Sequence, residues 1–244
     1  MSTVAGDGSA DGGWTIVVPV KALDRAKSRL APALTATGRR ALVLAMAEDV
    51  LRACASTPGV SRVRVVTSDP DMTALARDLL PDMVPCDIVP EPPHAADRAG
   101  DPLNTALAAA IHGVPGPVGV VTADLPELRA AHLARVLDVA GTHPHSVVPD
   151  HRGAGTTMAF WTGTAVARVP RFGVDSAARH LAEGGAVPLH DADPSGAATR
   201  DVDTPADVAA LTDRAVGEAT TAVLRTPAVA QGAHAAGVSA TMVR

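Results

Sequence analysis

The runs of consecutive apolar residues constrain this chain more than anything else in it. Trp14-Thr-Ile-Val-Val-Pro-Val20 and Val118-Gly-Val-Val-Thr122 lack the polar/apolar alternation of a half-exposed strand. Each therefore reads as a strand buried on both faces, and such strands sit inside sheets that helices cover on either side. The intervening segments supply those helices. In 38–55, Val43, Met46, Val50 and Cys54 share one helical face while Arg39, Arg40, Glu48, Asp49 and Arg52 lie elsewhere. Further helices are expected over 71–80, 103–112, 130–140 and 176–183, and from Pro205 with Thr204 as its N-cap. Further strands are expected at 62–67, 87–89, 146–148, 157–161, 187–189 and 200–202. This order predicts an α/β chain with a mostly parallel sheet. Residues 1–13 are Gly/Ser/Asp-rich and 225–244 are small-residue-rich without a clear period, so both are expected to be loose ends around one domain at 14–224.

Composition narrows the function by exclusion. The net charge is −5 and there are four aromatics, two Trp and two Phe, in 244 residues. A protein that stacks bases or tracks a nucleic-acid backbone needs more of both basic and aromatic surface. No apolar run approaches the ~20 residues of a membrane span, and the polar start MSTVAGDGSADGG is no signal peptide. The two cysteines, Cys54 and Cys86, fall in a helix and beside a strand, a poor disulfide pattern. A reduced, cytoplasmic protein is expected.

In an open parallel sheet, ligands bind beyond the C-terminal strand ends. After the first strand come Lys21, Arg25, Lys27 and Arg29, four cations within nine residues, which suit a polyphosphate or form a solvated basic loop. After the second comes Thr67-Ser68-Asp69, read as a helix cap. After the strand at 118–122 comes Asp124, placed for a metal or for a turn cap. Asp201 and Asp203 alternate along an expected strand and so would share a face, where they repel unless a cation or Arg200 offsets them; Asp203 could instead cap the next helix. The turn Arg152-Gly-Ala-Gly155-Thr156-Thr157 offers backbone N–H groups to an anion. Arg171-Phe-Gly173-Val-Asp-Ser176 leads into a helix whose N-terminus favours a phosphate or carboxylate, with His180 one turn on. A hairpin turn and an ordinary histidine are the plain alternatives for these two clusters. There is no P-loop, no dinucleotide fingerprint after the first strand, no zinc spacing and no hydrolase elbow.

Taken in order, PVKALDRAKSRLAP, DPLNTAL, TADLPEL, GAGTTM, RFGVDSAARH and RDVDTPADV resemble the CofC/FbiD guanylyltransferases of coenzyme F-420 biosynthesis. The likeness spans about 14–224 and implies a three-layer α/β/α nucleotidyltransferase fold like that of the molybdenum-cofactor guanylyltransferase. It implies transfer of GMP from GTP to phosphoenolpyruvate with release of pyrophosphate; the same reaction on 2-phospho-L-lactate or 3-phosphoglycerate is the alternative. A sugar or cofactor nucleotidyltransferase, or a non-catalytic nucleotide-binding module, stands as a rival. By matching motif, Asp124 and Asp201 would hold Mg²⁺, with Asp203 an ambiguous neighbour. Thr156 (or Thr157), Gly173 and Ser176 would bind the acid. Lys21, Lys27 and Arg29 would face the GTP phosphates, and Asp101, Leu103 and Asn104 would lie along the nucleoside. The first loop has no glycine, unlike the wider fold, so side-chain cations must replace part of a backbone phosphate cradle. The resemblance leaves open the oligomeric state and any contact with the next enzyme of the pathway.

Overall fold

A computed structural model describes residues 12–21, 27–91, 101–163 and 167–229. Residues 1–11 and 230–244, which make up most of the expected loose ends, and Arg25 lie outside the described residues. In chain order the elements are β1 (Trp14–Pro19), α1 (Ala36–Ala55), β2 (Val60–Val66), α2 (Pro70–Leu79), β3 (Cys86–Val89), α3 (Pro102–Ile111) and β4 (Val118–Val121). Then come α4 (Ala130–Ala140), β5 (His145–Pro149), β6 (Thr156–Trp161), α5 (Ser176–Gly184), β7 (Val187–Pro188), α6 (Pro205–Ala210) and α7 (Glu218–Leu224). Short 3₁₀ turns cover Ser28–Leu30 and Leu211–Asp213.

The strands form one seven-stranded sheet in the order β3-β2-β1-β4-β6-β5-β7. β3, β2, β1 and β4 run parallel; β6 is antiparallel to both β4 and β5. That reversal positions the site. It brings the start of β6 beside the end of β4, with Val121 opposite Met158, and beside the end of β5, with Pro149 opposite Thr156. The loops after β1, β4 and β5 and the start of β6 therefore open on one edge.

Two apolar layers flank the sheet, and the period-2 alternation of each strand sorts its side chains between them. Ile16, Val18, Met158 and Phe160 join the layer under α1, α2 and α4. Val17, Ala159 and Trp161 join the layer under α3. All seven are fully buried, and each aliphatic side chain so placed contributes roughly 2 kcal/mol. Gly119 lets Phe160 lie flat across β4, since a Cβ there would stand 2.7 Å from the ring.

Two expectations are corrected. Residues 200–202 form no strand, because a single ladder bond, Val202 N–H to Asp124 O at 3.2 Å, ties them to the sheet edge. Asp49, assigned by periodicity to the polar side of α1, is 5% exposed. Its two oxygens accept the backbone N–H groups of Ala219 (3.1 Å) and Thr220 (2.9 Å), capping α7 from outside because Gly217 brings no side chain. A Cβ on Gly217 would lie 1.9 Å from Asp49 Cγ, so the carboxylate fits only against glycine. Asp49→Ala orphans both donors and is expected to lower unfolding free energy by about 2 kcal/mol, read as a shifted denaturant midpoint with unchanged slope. The sequence ends of α2 and α6 are as expected: Asp69 caps α2, and Thr204 with Asp207 forms a capping box on α6. Val229, five residues past Leu224, is fully buried in the α1 layer.

Candidate active site

A cleft of about 680 Å³ opens at the sheet edge where the loops converge. Lys21, Lys27 and Arg29 come from the loop after β1, Asp124 from the loop after β4, Thr156 from β6, Gly173 and Ser176 from the entry to α5, and Asp201 and Asp203 from the segment before α6. Leu103 reaches it from α3. Asp101 and Asn104 do not line it. Asp101 caps α3 by accepting from Leu103 N–H, and Asn104 clasps Phe172, accepting from its N–H (2.8 Å) and donating to its carbonyl (2.9 Å).

Three carboxylates meet at the cleft floor. Oxygens of Asp124, Asp201 and Asp203 all lie within 4.8 Å of one another. The Lys27 ammonium hydrogen-bonds both Asp124 and Asp203. Burial alone would lower the Lys27 pKa, but the two carboxylates outweigh it and hold the ammonium protonated. Burial would raise Asp124; the Lys27 charge reverses this and keeps it below the usual carboxylate range. Asp201 makes no hydrogen bond to Lys27, whose charge only partly offsets what raises it. Burial, then the charges of Asp124 and Asp203, push it up to about 6. Arg200, one of the two alternatives for offsetting it, turns away and pairs bidentately with Glu127 (2.9 and 2.6 Å), which Arg214 also holds at 2.9 Å. That clamp, invisible in local sequence, fixes the 200–203 segment against the loop after β4. Asp203 does not cap α6; its carboxylate faces Lys27 instead.

The donor set fits a hard divalent cation. Asp124 Oδ1 and Asp201 Oδ1 are buried without a hydrogen-bond partner, an arrangement that costs free energy unless a cation meets them. His151, which sequence reasoning passed over, stands 3.4 Å from Asp201 Oδ1. Two non-glycine residues among those described have positive φ, Lys27 (54°) and Asp175 (52°), and both line this cleft. Each conformation costs on the order of 1 kcal/mol, a strain commonly stored at functional sites.

The far wall carries hydrogen-bonding groups, with the charged side chains of Asp150, Arg152 and Asp175 also in the lining. Asp150 Oδ1 folds the turn by accepting from Arg152 and Ala154 N–H, leaving the Gly155 backbone free of side chain in the cleft. Of the two threonines, Thr157 donates to the Ala198 carbonyl at 2.6 Å, whereas Thr156 Oγ1 stands 3.3 Å from His180 Nδ1. Arg152, also in the lining, pairs with Asp207 at 3.1 Å. The His180 ring is pushed down to about 4 by burial, with His145, Arg171 and Arg179 adding to the effect against the opposing Ser176 carbonyl. A histidine that ionises near 6.5 when unfolded, but only near 4 when folded, withholds a proton from the native state. Its stability contribution is full above 6.5 and is lost as pH falls towards 4, by about 3 kcal/mol. Unfolding midpoints at pH 7 and 4.5 should therefore fall further apart in wild type than in His180→Gln.

Sheet order and cleft chemistry together define a nucleotidyltransferase-like α/β protein. In fold it is similar to a Desulfovibrio desulfuricans G20 protein described as a nucleotide-diphospho-sugar transferase. The TM-score is 0.60 at 15% identity, covering 90% of this chain and 94% of that one. Residues 14–226 match the family model described as "Guanylyl transferase CofC like", and the chain belongs to that family. It is 42% identical over 208 residues to the phosphoenolpyruvate guanylyltransferase of Mycolicibacterium gilvum (strain PYR-GCK), covering 84% of this chain and 92% of the relative. It is 44% identical over 214 residues to that of Nocardia farcinica (strain IFM 10152), covering 86% and 89%. No helix among the described residues is long and apolar enough to cross a membrane.

Proposed function

We propose that this chain transfers GMP from GTP to phosphoenolpyruvate and releases pyrophosphate, as a step in coenzyme F-420 biosynthesis. What carries the reading is one cleft that joins a carboxylate triad, a cationic loop and a wall of hydrogen-bonding groups, in a chain so similar to phosphoenolpyruvate guanylyltransferases.

In this reading, a phosphate oxygen of the acid bonds to the α-phosphorus of GTP. The bond from that phosphorus to the bridging β-oxygen breaks, and its electron pair leaves with pyrophosphate. A phosphate monoester has its second pKa near about 6, so the nucleophile is already largely dianionic and no side chain need take its proton. The chain's task is to bring two polyanions together. Asp124 and Asp201, with Asp203 beside them, would hold Mg²⁺, which when bound supplies Lewis-acid neutralisation of the phosphate oxygens. Lys21, Lys27 and Arg29 would draw the departing pyrophosphate. The Gly155 turn, Thr156, Gly173 and the α5 N-terminus at Ser176 would hold the acid, and orientation adds to charge neutralisation. Leu103 would lie along the nucleoside, while Asp101 and Asn104 would act from behind the cleft, through the α3 N-terminus and the Phe172 backbone. A cytoplasmic setting belongs to the same reading.

A thermal-shift series with Mg²⁺ tests the nucleotide assignment: GTP should raise the melting temperature well above the effect of CTP, UTP or ATP. A larger shift with CTP would replace the guanylyl reading with a cytidylyl one.

A further inference from the structure

His180 is wholly buried behind the wall assigned above to the acid, and no step of the proposed transfer uses it. Its ring meets all three segments of that wall. Nε2 lies 3.0 Å from the backbone nitrogen of Arg171, at the start of the loop carrying Gly173. Nδ1 lies 3.0 Å from the Ser176 carbonyl and 3.3 Å from Thr156 Oγ1. An amide N–H can only donate, so Nε2 must accept, and the single proton of the neutral ring sits on Nδ1. That N–H is shared between the Ser176 carbonyl and the Thr156 oxygen. Thr156 Oγ1 then accepts from the ring, and its own proton is left to point elsewhere. The residue is in the cleft lining, where a donor suits an anion.

The loop is gripped from its other side as well. Asn104 makes two hydrogen bonds to the Phe172 backbone, and Arg179 donates to the same carbonyl at 2.8 Å. The Phe172 ring packs edge-on to His180 with centroids 5.4 Å apart. Gly173 follows at φ 110°, a conformation that favours glycine, with Arg179 and Asp101 each 3.3 Å from where a Cβ would be. The start of β6, the loop from Arg171 and the first turn of α5 are thus registered on one imidazole, whose neighbouring titratable and cationic groups are His145, Arg171 and Arg179.

We infer that His180 is the positioning residue of the acid pocket: its neutral ring sets the Thr156 hydroxyl as a donor and fixes the Gly173 loop and the α5 N-terminus around the acid. This rests on the guanylyltransferase reading given above.

The test is steady-state pyrophosphate release by full-length wild type, His180→Asn, His180→Gln and His180→Ala, varying phosphoenolpyruvate and GTP separately. Asn keeps a donor near the Nδ1 position, and Gln keeps an acceptor near Nε2. The loss of hydrogen bonds to an anion site predicts a KM for phosphoenolpyruvate raised about tenfold or more in His180→Ala, with the KM for GTP within about twofold of wild type. Partial recovery is expected in Asn and in Gln. A merely structural histidine would instead cut the folded fraction, hence kcat, and leave both KM values alone. Should His180→Ala not fold, the Asn and Gln variants decide: an acid KM within about twofold of wild type in both overturns the inference, and so does an equal rise in both KM values. Wild type that releases pyrophosphate while the variants keep its acid KM refutes the role of His180 alone. Wild type that is silent with phosphoenolpyruvate refutes the functional reading, and this inference with it.

Discussion

Asp124→Ala and Asp201→Ala should each cut GTP-dependent pyrophosphate release by about 10³-fold, the scale seen when one electrostatic element of a preorganised site is lost. The two should part company in stability. Asp124 is held ionised by Lys27, so its removal takes a partner from a buried ammonium. Asp201 is pushed up to about 6 by burial and by its two acidic neighbours, so ionising it at pH 7.5 works against the metal-free fold. Metal-free Asp201→Ala should therefore melt at or above the wild-type temperature while its turnover collapses. Stability surrendered for function is expected at active sites. Wild-type-like rates in both variants would remove the triad from the chemistry.

Lys27→Met should have the second largest effect. Turnover should fall about 10²-fold if, as proposed, Lys27 is a cation facing the phosphates. The metal-free protein should also lose about 3 kcal/mol, since Asp124 and Asp203 are left without their counter-charge. Mg²⁺ or Mn²⁺ should restore much of that, so the metal-induced rise in melting temperature should be larger in Lys27→Met than in wild type. Equal rises in both proteins would show that the ammonium and the cation do not share the carboxylates.

Much of this architecture is legible in the sequence because the strands carry it. The uninterrupted apolar run of β1 and the run of β4 announce central strands, and the order of strands and helices announces the open sheet edge. Asp124, Thr156 and Ser176 stand out because each follows or begins such an element, Gly173 because it leads towards α5, and Asp201 by its alternation with Asp203; the structure gathers all five with Lys27 around one cleft. What the sequence conceals is pairing across long separations. Nothing near Glu127 indicates that Arg200 and Arg214 will both reach it, 73 and 87 residues away. Helical periodicity gives Asp49 a polar face, yet a helix 170 residues later makes it a buried cap. Asp201 and Asp203 converge as expected, but through a loop held by the Glu127 clamp and not through strand alternation. His180 is visible as a histidine one turn after Ser176; that its second nitrogen takes the Arg171 amide is visible only in three dimensions.

On the proposed function, this cleft joins GTP to a phosphorylated three-carbon acid. The direct measurement is pyrophosphate release with GTP and Mg²⁺, offering phosphoenolpyruvate, 2-phospho-L-lactate and 3-phosphoglycerate in parallel, with the enzyme that consumes the guanylylated product and its acceptor present. Release with phosphoenolpyruvate, well above that with the other two acids, is the predicted result. Silence with all three acids, in protein whose melting temperature GTP still raises, would contradict the account.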